Sequence, residues 1–593
     1  MSQTTGAENV IWDLSVFYSS PDDPAIQRDL ADVQAQATRF AETYRGRVTS
    51  LSAAELAAAL AELESIHEKI GKISSYAGLQ WNTDTANPTL GALLQRVREA
   101  DSQLDQTLLF FTLEWTQISD EGAKVADDPS LARYRHFLIS QLRYRPHLRS
   151  EPEEKVIAEK AVTGRDAWVR FFMETSNAIL FDWEGEKVPQ SIVMRQLYAT
   201  DREVRKRAAD SITAGLRPNL RPLTYVFNTL LADKASDDRL RSYPTWITSR
   251  NLSNETNDEA VQALVDAVTS RYDIVSRYYT IKRRLLGVEE LFDYDRYAAL
   301  PGADKQHNWE SARSIVLNAF GAFSPHMADV AREFFDKNWI HAPVSANKRG
   351  GAFASPTVPS AHPFVFVNYT GAVRDVMTLA HELGHGIHMY LSRPHGVFGA
   401  YTPLTTAEMA SVFGEMLVFN DLMSRESDPA VRLSMLAGKL EDTFATVFRQ
   451  ISMNRFEHAI HTARRQEGEL STDRFIELWL ESQRAMFGES VTLRDDYGIW
   501  WSYVPHFIST PGYVYAYAFG ELLVLALFSK YKQEGEAFVP RYLDVLAAGG
   551  SDKPENILAK AGVDLTDPTF WQQGLQIIDD MVNDLEALTV QVP

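Results

Sequence analysis

Apolar residues recur every three to four positions over most of this chain, the spacing of a helix with one buried face. The run "LSAAELAAALAELESIHEKIGKI" at 51–73 shows it plainly, with strong helix formers at nearly every position. The same period predicts helices around 92–118, 154–178, 201–215, 258–287, 308–335, 428–465 and 472–487. No short-period repeat and no low-complexity tract interrupts them. The most apolar stretch, "YVYAYAFGELLVLALF" at 513–528, carries Glu521 near its middle. It falls short of the roughly 20 residues that a bilayer span needs, so it predicts a buried helix.

One region breaks the helical period. From His341 to Gly371, "HAPVSANKRGGAFASPTVPSAHPFVFVNYTG" is rich in Gly, Pro, Ser and β-branched residues. "GGAFAS" and "PFVFVNY" read as two short strands with turn residues between them. The pattern therefore predicts a mainly α protein with a small sheet. An exposed sheet edge can pair with an extended peptide, and Gly351, Ala352 and Phe353 are the positions expected to do so. A purely structural role for the strands is the alternative.

Composition narrows the field. At 593 residues the chain exceeds the roughly 250–300 that one core supports, so two or more lobes are expected. Its 45% apolar and 23% charged content is that of a globular protein. There are no cysteines, which removes disulfides, thiolate ligands and a thiol nucleophile, and fits a cytoplasmic location. A net charge of −20 argues against nucleic acid or an anionic membrane as partner. The N-terminal stretch "MSQTTGAENVIWDLSVFYSS" lacks the basic and apolar regions of a secretory signal.

The chemistry concentrates in "GAVRDVMTLAHELGHGIHMYLSRP" at 371–394, a proline-free helix ending at Arg393-Pro394. His381 and His385 are four apart, so their imidazoles share a face and can grip one zinc ion. Glu382 lies about 100° around the helix, placed to act on a water rather than to bind the ion. The surrounding Leu379, Ala380, Leu383, Gly384 and Ile387 make the helix apolar, and buried histidines there need a partner. His388 would lie roughly 10 Å along the axis from His381, too far to share its ion, which leaves a supporting or substrate-binding role.

A hydrolytic zinc site needs a third protein ligand and one open position. The slots that would extend the motif with another histidine hold His388 and Leu391, so a second helix must supply a carboxylate. The next helix, "TTAEMASVFGEMLVFNDLMS" at 405–424, offers Glu408 and, seven residues on, Glu415. Glu408 is assigned as the third ligand; a capping box with Thr405 is its bland alternative. Glu415 is assigned to accept a histidine N–H. A second group, His458 and His461 beside Glu457, sits close to Arg464 and Arg465 and reads as a solvated helix face.

The histidine helix together with "TTAEMASVFGE" resembles the oligoendopeptidase F branch of the thimet oligopeptidase-like zinc metallopeptidases. Further matching segments are "IWDLSVFY", "ATDREVRKRAADS" at 199–211, "RYYTIKRRLLGVEELFDYDRYAALP" at 277–301, "KRGGAF" at 348–353 and "VPHFISTPGYVYAYAFG" at 504–520. The resemblance implies a two-lobed helical fold with a deep channel admitting short peptides. It also implies one Zn²⁺ per chain on His381, His385 and Glu408, with Glu382 as general base. On that reading residues 1–200 form an N-terminal helical domain and 201–593 the catalytic domain. His506, Tyr513 and Tyr517 correspond to the family's histidine and tyrosines that face the reacting carbonyl. Gly520 stands where the mammalian relatives have a further tyrosine, which leaves Tyr515 open as well. An exopeptidase and a catalytically idle peptide-binding scaffold are the competing readings. No "GAMEN"-like amine-recognition sequence supports an aminopeptidase, and neither Glu382 nor a ligand is lost as an idle scaffold would require.

Overall fold

The structure, a computed structural model, describes residues 4–300 and 306–591. The first three residues and Pro301, which the sequence reading touched, lie outside them. Among the described residues no helix is long and apolar enough to cross a membrane.

The chain packs into two compact units, each drawn from three segments. The first takes residues 1–145, 304–425 and 527–564; the second takes 146–303, 426–526 and 565–593. These units do not follow a cut at residue 200, because helices distant in sequence share each core.

In the first unit, α1 (Pro24–Tyr44), α2 (Ala53–Thr83) and α3 (Pro88–Thr116) pack side by side. Ser52 caps α2 through a capping box with Glu55, which explains the sharp start of the Ala/Leu/Glu-rich helix. A three-stranded sheet follows: β1 (Ile340–His341), β2 (Phe353–Ser355) and β3 (Phe364–Phe366), with β3 in the centre. β1 runs parallel to β3, and β2 antiparallel with Ala354 opposite Val365. The two predicted strands are present. The third, only two residues long, carries no periodicity to read.

Beyond the sheet come α4 (Val373–Ser392), α5 (Met409–Arg425) and α6 (Val539–Ala548). Asp375 caps the entry to α4 by accepting the Thr370 N–H at 2.7 Å and the Ala372 N–H at 3.2 Å. α4 and α5 make the most extensive helix pairing in the protein. Two glycines permit it. A Cβ on Gly384 would meet the Ala410 carbonyl oxygen at 2.3 Å, and one on Gly414 would meet that of Ala380 at 3.1 Å. α6 packs on α4 and reaches α5 through Tyr542. The Tyr542 hydroxyl, buried, donates to the Met409 carbonyl at 2.9 Å, and its ring stacks on Phe413 at 4.4 Å.

The second unit is also helical, apart from a hairpin of Leu180–Trp183 with Glu186–Pro189 that the sequence pattern did not suggest. Several predicted long helices are two in the structure. The 308–335 stretch breaks at Ser324-Pro325, where Ser324 caps the new helix, and 154–178 breaks at Gly164. Tyr515–Glu534 forms the expected buried helix.

The solvated face expected at Glu457, His458 and His461 is corrected by the structure. Glu457 and His461 are 0% and 2% exposed, and only His458 faces outward. The His461 ring stacks on Trp246 at 4.5 Å, and Glu457 Oε1 accepts the Gly512 N–H at 2.9 Å. Arg465 lies one turn beyond His461 on the same face, where it pairs with the buried Asp238 at 2.5 Å. Burial pushes the Glu457 carboxyl up to about 8, against the Gly512 N–H and the Arg250 charge.

Candidate active site

The close approach of α4 and α5 determines what their side chains can reach. His381 Nε2 and His385 Nε2 each lie 3.5 Å from Glu408 Oε2. One donor atom from each residue falls within a set whose members are all within 4.8 Å of one another. A tetrahedral ion bound at about 2.1 Å needs its donors roughly 3.4 Å apart, so this set fits such an ion. Glu408 stands at the junction of a short turn, Leu404–Ala407, and α5. The Ser411 hydroxyl donates to its Oε2 at 2.8 Å.

Glu415 lies against His381. Its Oε1 lies 2.5 Å from His381 Nδ1, which fixes that nitrogen as donor and leaves Nε2 turned toward Glu408. Glu382 is 6% exposed and accepts the backbone N–H of Ala354 on β2. The sequence reading missed that link, because nothing in the motif points at the strand.

The electrostatics describe a pocket built for positive charge. Burial opposes a proton on His381, but the Glu415 hydrogen bond and the charges of Glu415, Glu408 and Glu382 hold its pKa up to about 9. Burial, with the Glu408 and Glu415 charges, pushes Glu382 up to about 7 against the pull of His381. Burial holds His385 down at about 4 despite Glu408. Three carboxylates thus surround two imidazoles, an imbalance that a bound cation removes.

His388 is not one of the clustered donors. It is 4% exposed, its backbone partner is the Ala407 carbonyl, and Nε2 is buried with no protein partner. Together with His385, Met389, Ser392 and Tyr401 it lines a cavity of about 140 Å³. On the sheet, Ala352 and Phe353 are partly exposed, Gly351 is exposed in a left-handed turn (φ +80°), and Phe353 stacks on Phe366 at 4.8 Å.

Within the second unit, His506, Tyr513 and Tyr517 gather into one partly exposed cluster. The Tyr517 hydroxyl and His506 Nε2 are 3.4 Å apart, and the Tyr513 and Tyr517 rings meet edge-on at 4.9 Å. Tyr515 is fully buried, and its hydroxyl accepts from Asn254 Nδ2 at 2.9 Å. Of the three phenols, Tyr515 is the one turned into the core.

A mainly helical fold that sets two histidines and a glutamate around one point is that of a helical metallopeptidase. Comparison with known proteins agrees. The model of Peptidase family M3 matches residues 322–577, and that of Oligopeptidase F matches 114–181. Together they span more than half of the chain, which belongs to peptidase family M3, in its oligoendopeptidase F branch. It is a metalloendopeptidase of that family. Oligopeptidase PepF of Bacillus subtilis (strain 168) is 28% identical over 96% of this chain and 86% of its own length. The crystal structure of a Chlamydophila abortus protein, 25% identical, superposes with a TM-score of 0.88 over 98% of both chains. That of oligoendopeptidase-F from Enterococcus faecium, 23% identical, gives 0.72 over 96% of this chain and 99% of its own, a likeness of fold.

Proposed function

We propose that this metallopeptidase uses one zinc ion, held by His381, His385 and Glu408, to hydrolyse internal bonds of short peptides, with Glu382 as general base. The observation that carries the reading is the three-donor cluster with a buried carboxylate beside it. A His₂Glu donor set suits zinc, and such an ion supplies Lewis acidity to a carbonyl and to water.

The residues of the chain do the rest. Glu415 holds His381 in the tautomer that offers Nε2, so the site is oriented before substrate arrives. Glu382 takes a proton from the attacking water as oxygen bonds to the scissile carbonyl carbon. It then returns that proton to the leaving nitrogen as the C–N bond breaks. The β2 edge would hold the peptide backbone extended through Gly351, Ala352 and Phe353. His506 and the Tyr513 and Tyr517 phenols are assigned by resemblance to donate to the developing oxyanion; their grouping supports that role, and such donors are worth roughly 3–4 kcal/mol each. Supporting roles at the site fall to Glu415 and His388, the latter toward a substrate side chain. The absence of cysteine fits work in the cytoplasm.

The test is Glu382→Gln, assayed by mass spectrometry of fragments from a mixed peptide pool, with and without chelator. We expect unchanged metal content of one ion per chain and cleavage reduced by about 10²–10⁴-fold. Wild-type turnover in that variant would refute the base assignment. Cutting confined to chain ends would refute the endopeptidase reading.

A further inference from the structure

The second unit contains a buried guanidinium group, that of Arg296, and a half-buried one, that of Arg449, for which the fold provides no carboxylate. Arg296 is 3% exposed, and its Nε donates to the Asp293 carbonyl at 2.9 Å. Its charge lies among the rings of Tyr297, Phe487 and Tyr497, at 5.1, 5.1 and 4.9 Å from their centres. Arg449 donates from Nη1 to the Tyr297 hydroxyl at 3.0 Å, and its Nε is buried with no partner. Among the described residues neither arginine makes an ion pair.

The nearby carboxylates are committed elsewhere. Asp293 is bonded by Arg494 at 2.8 and 2.9 Å. Asp295 receives Arg202 and Arg205 at 2.9 and 2.8 Å. Glu441 is taken by Lys282 at 2.5 Å and by the Tyr278 hydroxyl. Contact with aromatic faces offsets part of the cost of a buried cation, but less than a paired counter-ion does. Two like charges left in one apolar region are therefore short of an anion.

Arg296 and Arg449 also line a single cavity of about 30 Å³, together with Tyr279, Tyr297, Phe444 and the Lys282-paired Glu441. The cavity is therefore roomy enough for water or a small ion. We infer that this cavity is a binding site for a small monovalent anion of chloride size, held by Arg296 and Arg449. The ion supplies the missing charge from outside the chain. The inference is independent of the peptidase chemistry and stands or falls without it.

Two measurements test it on the intact protein. Crystals grown in bromide should show an anomalous peak in this cavity, beside both guanidinium groups. In solution at constant ionic strength, replacing gluconate by chloride from about 1 to about 100 mM should raise the unfolding midpoint by about 2 °C or more, saturably. The same titration of Arg449→Met should show no chloride dependence. Should that variant fail to fold, the bromide map of the wild-type protein decides alone. An empty cavity in bromide, or identical melting in the two salts, overturns the proposal. So does phenolate absorption at neutral pH that Tyr297→Phe abolishes, since the counter-charge would then be internal.

Discussion

Glu415 gives the sharpest quantitative expectation for the metal site. Its carboxylate and His381 Nδ1 are 2.5 Å apart, and their side chains are 21% and 26% exposed, so solvent screens the pair only partly. Glu415→Gln keeps an acceptor of the same shape and removes its charge. A charge-assisted hydrogen bond is worth about 1–1.5 kcal/mol more than a neutral one, so metal affinity should fall roughly tenfold. Glu415→Leu leaves a ring N–H with no acceptor there and should cost about 10–100-fold. Proton competition adds a second signature. The carboxylates hold the metal-free His381 at about 9, so below that pH the metal must displace a proton. Removing the Glu415 charge weakens that competition and returns part of the loss. The deficit of Glu415→Gln should therefore be larger near pH 9 than near pH 7. Chelator competition with the metal counted by mass spectrometry reads both numbers, and turnover at saturating metal should change little. Wild-type affinity in both variants would refute the orienting role.

Glu408→Ala should lose its metal to mild chelation while His381 and His385 remain; full retention would mean that another group completes the set. Gly384→Ala should destabilise the first unit by about 1–3 kcal/mol and weaken metal binding with it, because the added methyl meets the Ala410 carbonyl at 2.3 Å; denaturant melts with metal titration check this, and an unperturbed variant would show that the helices can separate freely. For Glu457 the sign is set by a pKa raised from 4.5 to about 8. The folded chain keeps a proton that the unfolded chain has lost, so the stabilisation is complete below about pH 4.5 and disappears as pH rises toward 8, at about 1.4 kcal/mol per unit. Against Glu457→Gln, which does not titrate, wild-type protein should lose a few kcal/mol between pH 5 and pH 8 by this slope; parallel pH profiles would refute the assignment.

Much of this was legible in the sequence. Helical period, the two strands and the zinc-type motif depend on local spacing, and spacing is what a sequence displays. Glu408 is a candidate for a different reason, since a carboxylate among Met409, Val412 and Phe413 is expected to need a cation or a proton; in the structure its side chain is 35% exposed and stands beside the two histidines. Contacts between distant segments were not legible. Gly384 and Gly414 look like neutral spacers until the two backbones are seen to touch there. Ala354 reaches Glu382 through its peptide N–H, which every residue but proline possesses and no motif marks. Glu457 and His461 were misread because neighbouring arginines suggested solvent, whereas this same face is covered by Trp246 and the Gly512 backbone, and Arg465 pairs there with buried Asp238. Ser324-Pro325 is a stop that periodicity alone runs through.

The interleaving of segments also bears on how the molecule is made. The histidine and glutamate helices leave the ribosome well before residues 527–564, which carry the Tyr542 brace and complete their unit. At roughly 5–20 residues per second, the helix pair waits on the order of ten seconds for that segment, with the faces it will cover exposed. A nascent chain stalled in that interval would have every candidate ligand and no finished wall behind them, which makes it a natural client for a chaperone.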